Sequence, residues 1–281
     1  LSKIKKDLPG TVKFIFQPSE EGAPLGEKGG AGYMVEEGVM KSPKVDAIFG
    51  LHAWPGKVGT VQYRSGPTMA AAERMRITVT GSQTHGALPW GGVDPIVISA
   101  QIINSLQTIV AREVDITQVP AIVTVGSIHG GVRNNIIPEE VVMEGTIRTF
   151  NNEVRSAIHS SIKRKVEMIA SASGATAKVE IFSGVAKVTY NDPDLTSQMV
   201  PSLERVYGKN NVSITPYITG AEDFPFFTDH APGLYFFNGV APDPSKAYPN
   251  HSPYFFADEK NLKYGTKVLA QLAVDYLFLN K

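Results

Sequence analysis

Arg74 to Gly81 reads RMRITVTG, and its alternation of polar and apolar residues predicts a strand with one face buried. Downstream, Asp94 to Arg112 carries Ile98, Ile102, Ile103 and Leu106 in one apolar stripe, and Asp94-Pro95 supplies a helix start. Ala121 to Ile128 and Val141 to Phe150 read as strands, Glu153 to Ala172 as a second helix, and Thr176 to Phe182 as a fourth strand. The order βαββαβ is that of a ferredoxin-like sandwich, a self-contained unit. Residues 73–186 are therefore expected to fold as one inserted domain.

On either side the rhythm changes. Thr11 to Gln17 (TVKFIFQ) predicts a buried strand ending at Pro18, and Lys28 to Met40 a helix with Met34, Val35 and Val39 at helical spacing. Ala47 to Ala53 (AIFGLHA) and Val58 to Ser65 predict two more strands. After Ala186, Asp192 to Tyr207 reads as a helix and Gly233 to Val240 as a strand. Asp258 to Leu279 reads as a long closing helix with apolar Leu262, Val268, Leu269, Leu272 and Tyr276. Strands alternating with helices imply a mostly parallel sheet with helical cover. The expected fold class is thus α/β: a mixed, mostly parallel sheet domain built from residues 1–72 and 187–281, interrupted by the ferredoxin-like insert.

With 281 residues, 42% hydrophobic and 19% charged, the chain can bury a sizeable core. Its 27 basic and 27 acidic residues balance, without a run of like charge, which argues against nucleic acid or an anionic membrane surface as partner. No stretch of about 18 apolar residues is present to span a bilayer. Cysteine is absent, so disulfides and thiol chemistry are excluded within the chain, and any metal must rest on His and carboxylate. No G-x-S-x-G elbow is present, which removes a serine hydrolase of that type.

Four short stretches hold residues suited to chemistry. Gln17-Pro18-Ser19-Glu20-Glu21-Gly22 puts two adjacent carboxylates after a predicted strand, where one could bind a cation and the other take a proton from water. A solvated, helix-capping Glu pair would look the same. Leu51-His52-Ala53-Trp54-Pro55 places a His at a strand end, as a ligand or as a core His bonded to a backbone carbonyl. Pro249-Asn250-His251-Ser252-Pro253 is a turn-rich loop whose His is a ligand or faces solvent. In Gly81-Ser82-Gln83-Thr84-His85-Gly86-Ala87, small residues flank His85 and let another surface approach it, unless this is an ordinary loop.

Together these stretches resemble one family. QPSEEG, LHAWP, GSQTHGALPWGGVDPI, VRNNIIPEE, EGTIRTF, GAEDFPFF and NHSPYF stand in the order seen in the two-metal amidohydrolases, which include hippurate hydrolases, N-acyl-amino-acid deacylases and auxin-conjugate hydrolases. The resemblance covers essentially the whole chain. It implies that Glu20 is the general base and acid, and that Glu21 and His251 share one cation while His52 ligates the other. It implies that His85, in a lid and dimerisation domain, reaches a partner's active site and helps stabilise the oxyanion. Asn135 matches a lid residue near the substrate carboxylate or oxyanion, and Arg148 a substrate-binding position. The implied cofactors are two divalent ions, Zn, Mn, Co or Ni. The implied protein is a cytoplasmic enzyme, homodimeric through the lid, that hydrolyses N-acyl-amino acids with a metal-activated water.

The resemblance departs at one place. The family carries an early Cys, His and Asp motif that supplies the bridging ligand and a further His, and nothing in Leu1 to Gly10 resembles it. The expectation is therefore a chain that begins after that motif, belongs to a longer enzyme and is inactive by itself, since Glu21, His52 and His251 are few ligands for two cations. The rival from another class is a non-catalytic binding or assembly protein that keeps the fold without a complete metal centre. Retention of Glu20, Glu21, His52, His85 and His251 together speaks against it.

Overall fold

The computed structural model describes residues 1–24 and 26–281. In chain order its main elements are α1 (Gly30–Glu36), β1 (Ile48–Lys57), β2 (Val61–Tyr63), β3 (Gly66–Met69), β4 (Ala71–Thr80), β5 (Thr84–His85), α2 (Pro95–Arg112), β6 (Ala121–Gly130), β7 (Ile136–Ile137), β8 (Glu140–Thr149), α3 (Asn152–Ala172), β9 (Thr176–Ala186), β10 (Thr189–Asn191), α4 (Pro193–Tyr207), β11 (Val212–Ile214), α5 (Pro225–Thr228), β12 (Gly233–Ala241) and α6 (Lys260–Leu279). They divide into two compact units. One comprises Leu1–Met69, Thr189–Ile218 and Glu222–Lys281; the other comprises Ala70–Val188 and Thr219–Ala221.

The second unit holds an antiparallel sheet in the order β6-β8-β4-β9, with α2 and α3 against one face. Alternation in β4 sends Met75, Ile77 and Val79 to the helices, where Ile102, Leu106, Ile158 and Ile162 meet them fully buried. Both helices start where the sequence places a cap. The Asp94 carboxylate accepts the backbone N–H of Ile96 at 2.8 Å, and the Asn151 side-chain oxygen accepts that of Glu153 at 2.8 Å. In addition, β5 and β7 form a two-residue ladder that the sequence does not announce.

The first unit is built on a mixed sheet in the order β1-β12-β2-β11, with two parallel pairings and one antiparallel pairing. The central strand, β12, is buried at every position, as expected for a strand covered on both faces. Its period of two divides the core. Leu234 and Phe236 face α4 and α6 beside Met199, Val268 and Leu272, while Tyr235 and Phe237 face α1 and α5 beside Phe224 and Phe227. Parallel β1 follows suit, so Phe49 and Leu51 join the first cluster and Ile48, His52 and Trp54 lie on the second face. Among the described residues no helix is long and apolar enough to cross a membrane.

Several local expectations change here. Thr11 to Gln17 joins no sheet: Phe14 and Phe16 are 65% and 85% exposed, although Ile15 packs on the aromatic cluster. Strand composition is only a fit to a pleated surface, and without a neighbouring ladder it makes no strand. The helix read over Lys28 to Met40 is confined to α1, because Gly38 at φ +88° turns the chain out of it. The strand read over Val58 to Ser65 shortens to β2 behind a turn at Gly59, φ +82°. In α6 the inward stripe is Asn261, Gly265, Val268 and Leu272, which leaves Leu262 68% exposed and Leu269 at the surface.

Candidate metal centre

The first unit gathers Glu20, Glu21, His52 and His251 with two further carboxylates, Glu222 and Asp223. Two contacts anchor the QPSEEG stretch. The Gln17 amide donates to both oxygens of Asp223, at 2.7 and 2.9 Å, and the Gly30 N–H donates to the Pro18 carbonyl at 2.8 Å. Asp223 also accepts the Ala31 N–H at 2.7 Å. At Gly30, φ +76°, a side chain would strike the Asp223 carboxylate, its Cβ falling 2.6 Å from Oδ2. Gly30 is thus where the backbone must approach this acid closely.

His52 does not end its strand; β1 continues to Lys57 and carries His52 inside the sheet. The ring is 23% exposed and surrounded by Trp54, Tyr235 and Phe237. Its Nδ1 lies 2.6 Å from the Ala53 carbonyl. A carbonyl oxygen only accepts, so Nδ1 carries the proton and Nε2 presents a lone pair. Burial pushes the imidazole pKa below its usual value and holds it neutral, the form that binds a metal. The same Ala53 carbonyl accepts the Asn250 side-chain amide at 3.0 Å, which ties the NHSP loop to β1. In that loop His251 adopts φ +66°, and its Nε2 stands 3.7 Å from Glu21 Oε1.

These donors fit divalent cations. Two ligands about 2.0–2.2 Å from one tetrahedral ion lie roughly 3.3–3.6 Å apart, close to the Glu21–His251 separation. Imidazole with carboxylate suits Zn, Mn, Co and Ni alike.

Glu222 and Asp223 stand within GAEDFPFF, where the sequence signal for them is a pair of adjacent acids before the aromatic run Phe224-Pro225-Phe226-Phe227. Oxygens of Glu20, Glu222 and Asp223 lie within 4.8 Å of one another. Glu222 is 5% exposed, accepts a hydrogen bond from the Tyr235 hydroxyl and donates one to Glu20. Burial first, and then the charge of Glu20, raises its carboxyl to about 8. Glu20 sits at the mouth, exposed on one side. Loss of water on the side facing Glu222 and Asp223 raises its carboxyl from the ordinary value, and the charges of Asp223 and Glu21 add to this.

The second unit holds the other three predicted residues. His85 pairs with Ile136 across the β5/β7 ladder, and the Gly86 N–H donates to the Asn135 carbonyl at 2.8 Å, so His85 and Asn135 are neighbours. His85 Nδ1 accepts the Ala87 N–H at 3.0 Å, which leaves its Nε2 as the protonated, exposed nitrogen. Arg148 is not with them. It lies near the far end of β8, eight residues beyond Glu140, or roughly 26 Å along an extended strand.

The chain is similar to several known proteins. The model of peptidase family M20/M25/M40 matches residues 1–275. Thermostable carboxypeptidase 2 of Saccharolobus solfataricus is 39% identical over 280 residues, covering 98% of this chain and 68% of the relative. The N-acetyl-L-cysteine deacetylase of Bacillus subtilis is 37% identical over 260 residues, covering 92% of this chain and 59% of the relative. The chain therefore spans about two thirds of the length of such relatives. Among solved structures, the YXEP protein of Bacillus subtilis, a dinuclear metal binding peptidase, superposes with a TM-score of 0.77 at 31% identity over 98% of this chain and 68% of that one. By the family match and these identities, the chain belongs to peptidase family M20/M25/M40, a family of hydrolytic metalloenzymes.

Proposed function

We propose that the protein is a metal-dependent amidohydrolase that cleaves the amide bond of N-acyl-amino acids or related dipeptide-like substrates. The observation that carries this reading is the pairing of Glu20 and Glu21 beside two imidazoles, with the His52 Nε2 kept bare by the Ala53 carbonyl. Glu21 and His251 would hold one cation and His52 the other. When bound, such ions act as Lewis acids that polarise the amide carbonyl and acidify water.

Glu20 stands at the mouth of the site, one residue before Glu21, and takes no part in the Glu21–His251 pair. That position suits a carboxylate that removes a proton from the attacking water and delivers it to the departing amine. The protonated Nε2 of His85 suits donation to an oxyanion. The neighbouring Asn135 amide is suited to the oxyanion or the substrate carboxylate, and Arg148 is assigned to substrate binding. A homodimer through the inserted unit and a cytoplasmic location complete the reading.

A panel of N-acetyl- and N-benzoyl-amino acids offered to the full-length protein with Zn, Mn, Co or Ni tests it. Release of free amino acid that stops on chelation is expected. Failure to release amine from any member, with cation demonstrably bound, would overturn the assignment.

A further inference from the structure

We propose that the cleft between the end of β1, β2 and the start of β11 binds a small monocarboxylate, with Lys57 as its cation and Trp54 and Phe237 as its apolar wall. The inference goes beyond the metal-hydrolase reading and does not depend on it.

The cleft follows from an irregularity in the sheet. β1 and β12 pair in register from Ile48 with Gly233 to Trp54 with Gly239, and the next pair is Lys57 with Ala241. Between those pairs β1 takes three steps where β12 takes two, a bulge that bends the strand and re-aims its side chains. A Cβ at Gly239 would strike the Lys57 carbonyl, so only glycine lets the bulged chain pass here. The turn after the bulge is fixed twice. The Thr60 hydroxyl donates to the Lys57 carbonyl at 2.7 Å, and the Gly239 N–H donates to the Thr60 carbonyl at 3.0 Å. The resulting cavity has a volume of about 360 Å³. Small-molecule sites run at about 300–1,000 Å³.

Its lining selects the ligand. Lys57 is the one ionisable residue around it, and no acid lines it. Among the described residues Lys57 has no ion-pair partner, and the side chains of Gln62, Asn210 and Ser213 make no hydrogen bond within the chain. The Asn211 amide, by contrast, is committed to the Tyr207 carbonyl at 2.8 Å. A cation with neutral amide and hydroxyl donors around it matches an anion, because charge-assisted hydrogen bonds are the strong ones. One lysine balances one negative charge, which favours a carboxylate over a doubly charged phosphate. The rings of Trp54 and Phe237 stand 5.1 Å apart in the same wall, and Phe237 is 1% exposed. They offer an apolar surface to the body of the ligand. Trp54 also lies 5.6 Å from the His52 ring, so the two sites share one side chain.

The test uses protein freed of metal by a chelator that is then dialysed away. It is labelled with 5-fluorotryptophan and titrated with N-acetyl-L-phenylalanine. The Trp54 fluorine resonance, assigned by its loss in Trp54→Phe, is expected to shift saturably. Lys57→Met should weaken that binding by about 10-fold or more, as for a hydrogen bond to a charged group. Lys57→Arg should retain it, and Glu21→Gln should bind as the wild type does. Acetate should bind more weakly than N-acetyl-L-phenylalanine, since it has little to lay on the rings. No saturable shift, a shift that Lys57→Met leaves unchanged, or tighter binding of inorganic phosphate would each overturn the proposal. Should Lys57→Met fail to fold by circular dichroism, Gln62→Leu decides, with unchanged affinity counting against the site. Amide hydrolysis measured on the same protein keeps the two readings apart: hydrolysis without this binding strikes the cleft alone, and this binding without hydrolysis strikes the hydrolase reading alone.

Discussion

Glu20 and Glu21 are chemically alike and adjacent, yet their neighbours separate them. Glu21 faces an imidazole at 3.7 Å, whereas Glu20 faces two acids. On the proposed reading, the carboxylate beside an imidazole holds a cation and the one beside other acids exchanges protons. In the full-length protein, Glu20→Gln is therefore expected to retain bound cation and to lose about 10²–10⁴-fold in turnover. Glu21→Gln is expected to lose cation, because a neutral amide is a poorer ligand than a carboxylate. Metal content by atomic emission, measured beside turnover on the same samples, separates the two. Near-normal turnover in Glu20→Gln would reverse the assignment. The four motif residues could be picked out in the sequence because each sits in a short, distinctive string. Glu222 could not be given a role, because nothing in GAEDFPFF says that its carboxylate is buried against a strand 170 residues away.

Elements of the inserted unit could be read because their periods are local. The stripe Ile98, Ile102, Ile103 and Leu106 of α2 and the alternation of β4 are both written in near-neighbour spacing, and the structure adds Ile109 to the buried side. What spacing cannot show is which strands form the edges. Among the described residues the sheet order leaves β6, ten residues long, with a free flank, and such an edge is a template for pairing with another chain. Along it Ile128 is 46% exposed. If the inserted unit dimerises the protein through this flank, Ile128→Lys should shift the mass found by light scattering from dimer to monomer, with helical content unchanged by circular dichroism. A wild-type protein that is monomeric and fully active would remove the dimer from the proposal. The strand read at Thr11 to Gln17 shows the converse failure, since its composition is right but no ladder lies beside it.

At the scale of the molecule, two units with separate cores make heat unfolding a composite rather than a single two-state event. Three acids of the inserted unit, Glu113, Asp115 and Glu180, are held below their ordinary values, and Glu113 has the most partners from other elements. Glu113 is held below its ordinary value of 4.5, first by the Ser161 hydroxyl at 2.5 Å and then by Lys165 at 2.9 Å. A carboxyl lowered by folding contributes stability that is present above pH 4.5 and is lost as pH falls through its folded value. Calorimetric scans from pH 7 to pH 3 should show one transition losing stability in that acid window, and Glu113→Gln should flatten its slope; an unchanged slope would refute the linkage. The sequence by itself determined the βαββαβ order, the start of α2 at Asp94-Pro95, and the strings that carry Glu20, Glu21, His52, His85 and His251. Periods of 3.6 and 2 and the cap residues act between near neighbours in the chain. Only the tertiary structure decided that Thr11 to Gln17 finds no ladder, that Arg148 lies far from Asn135, that His52 offers Nε2, and that Glu222 faces it. Burial, pairing and tautomer are set by contacts such as Gln17 with Asp223, 206 residues apart, and no local pattern in the chain encodes a partner at that distance.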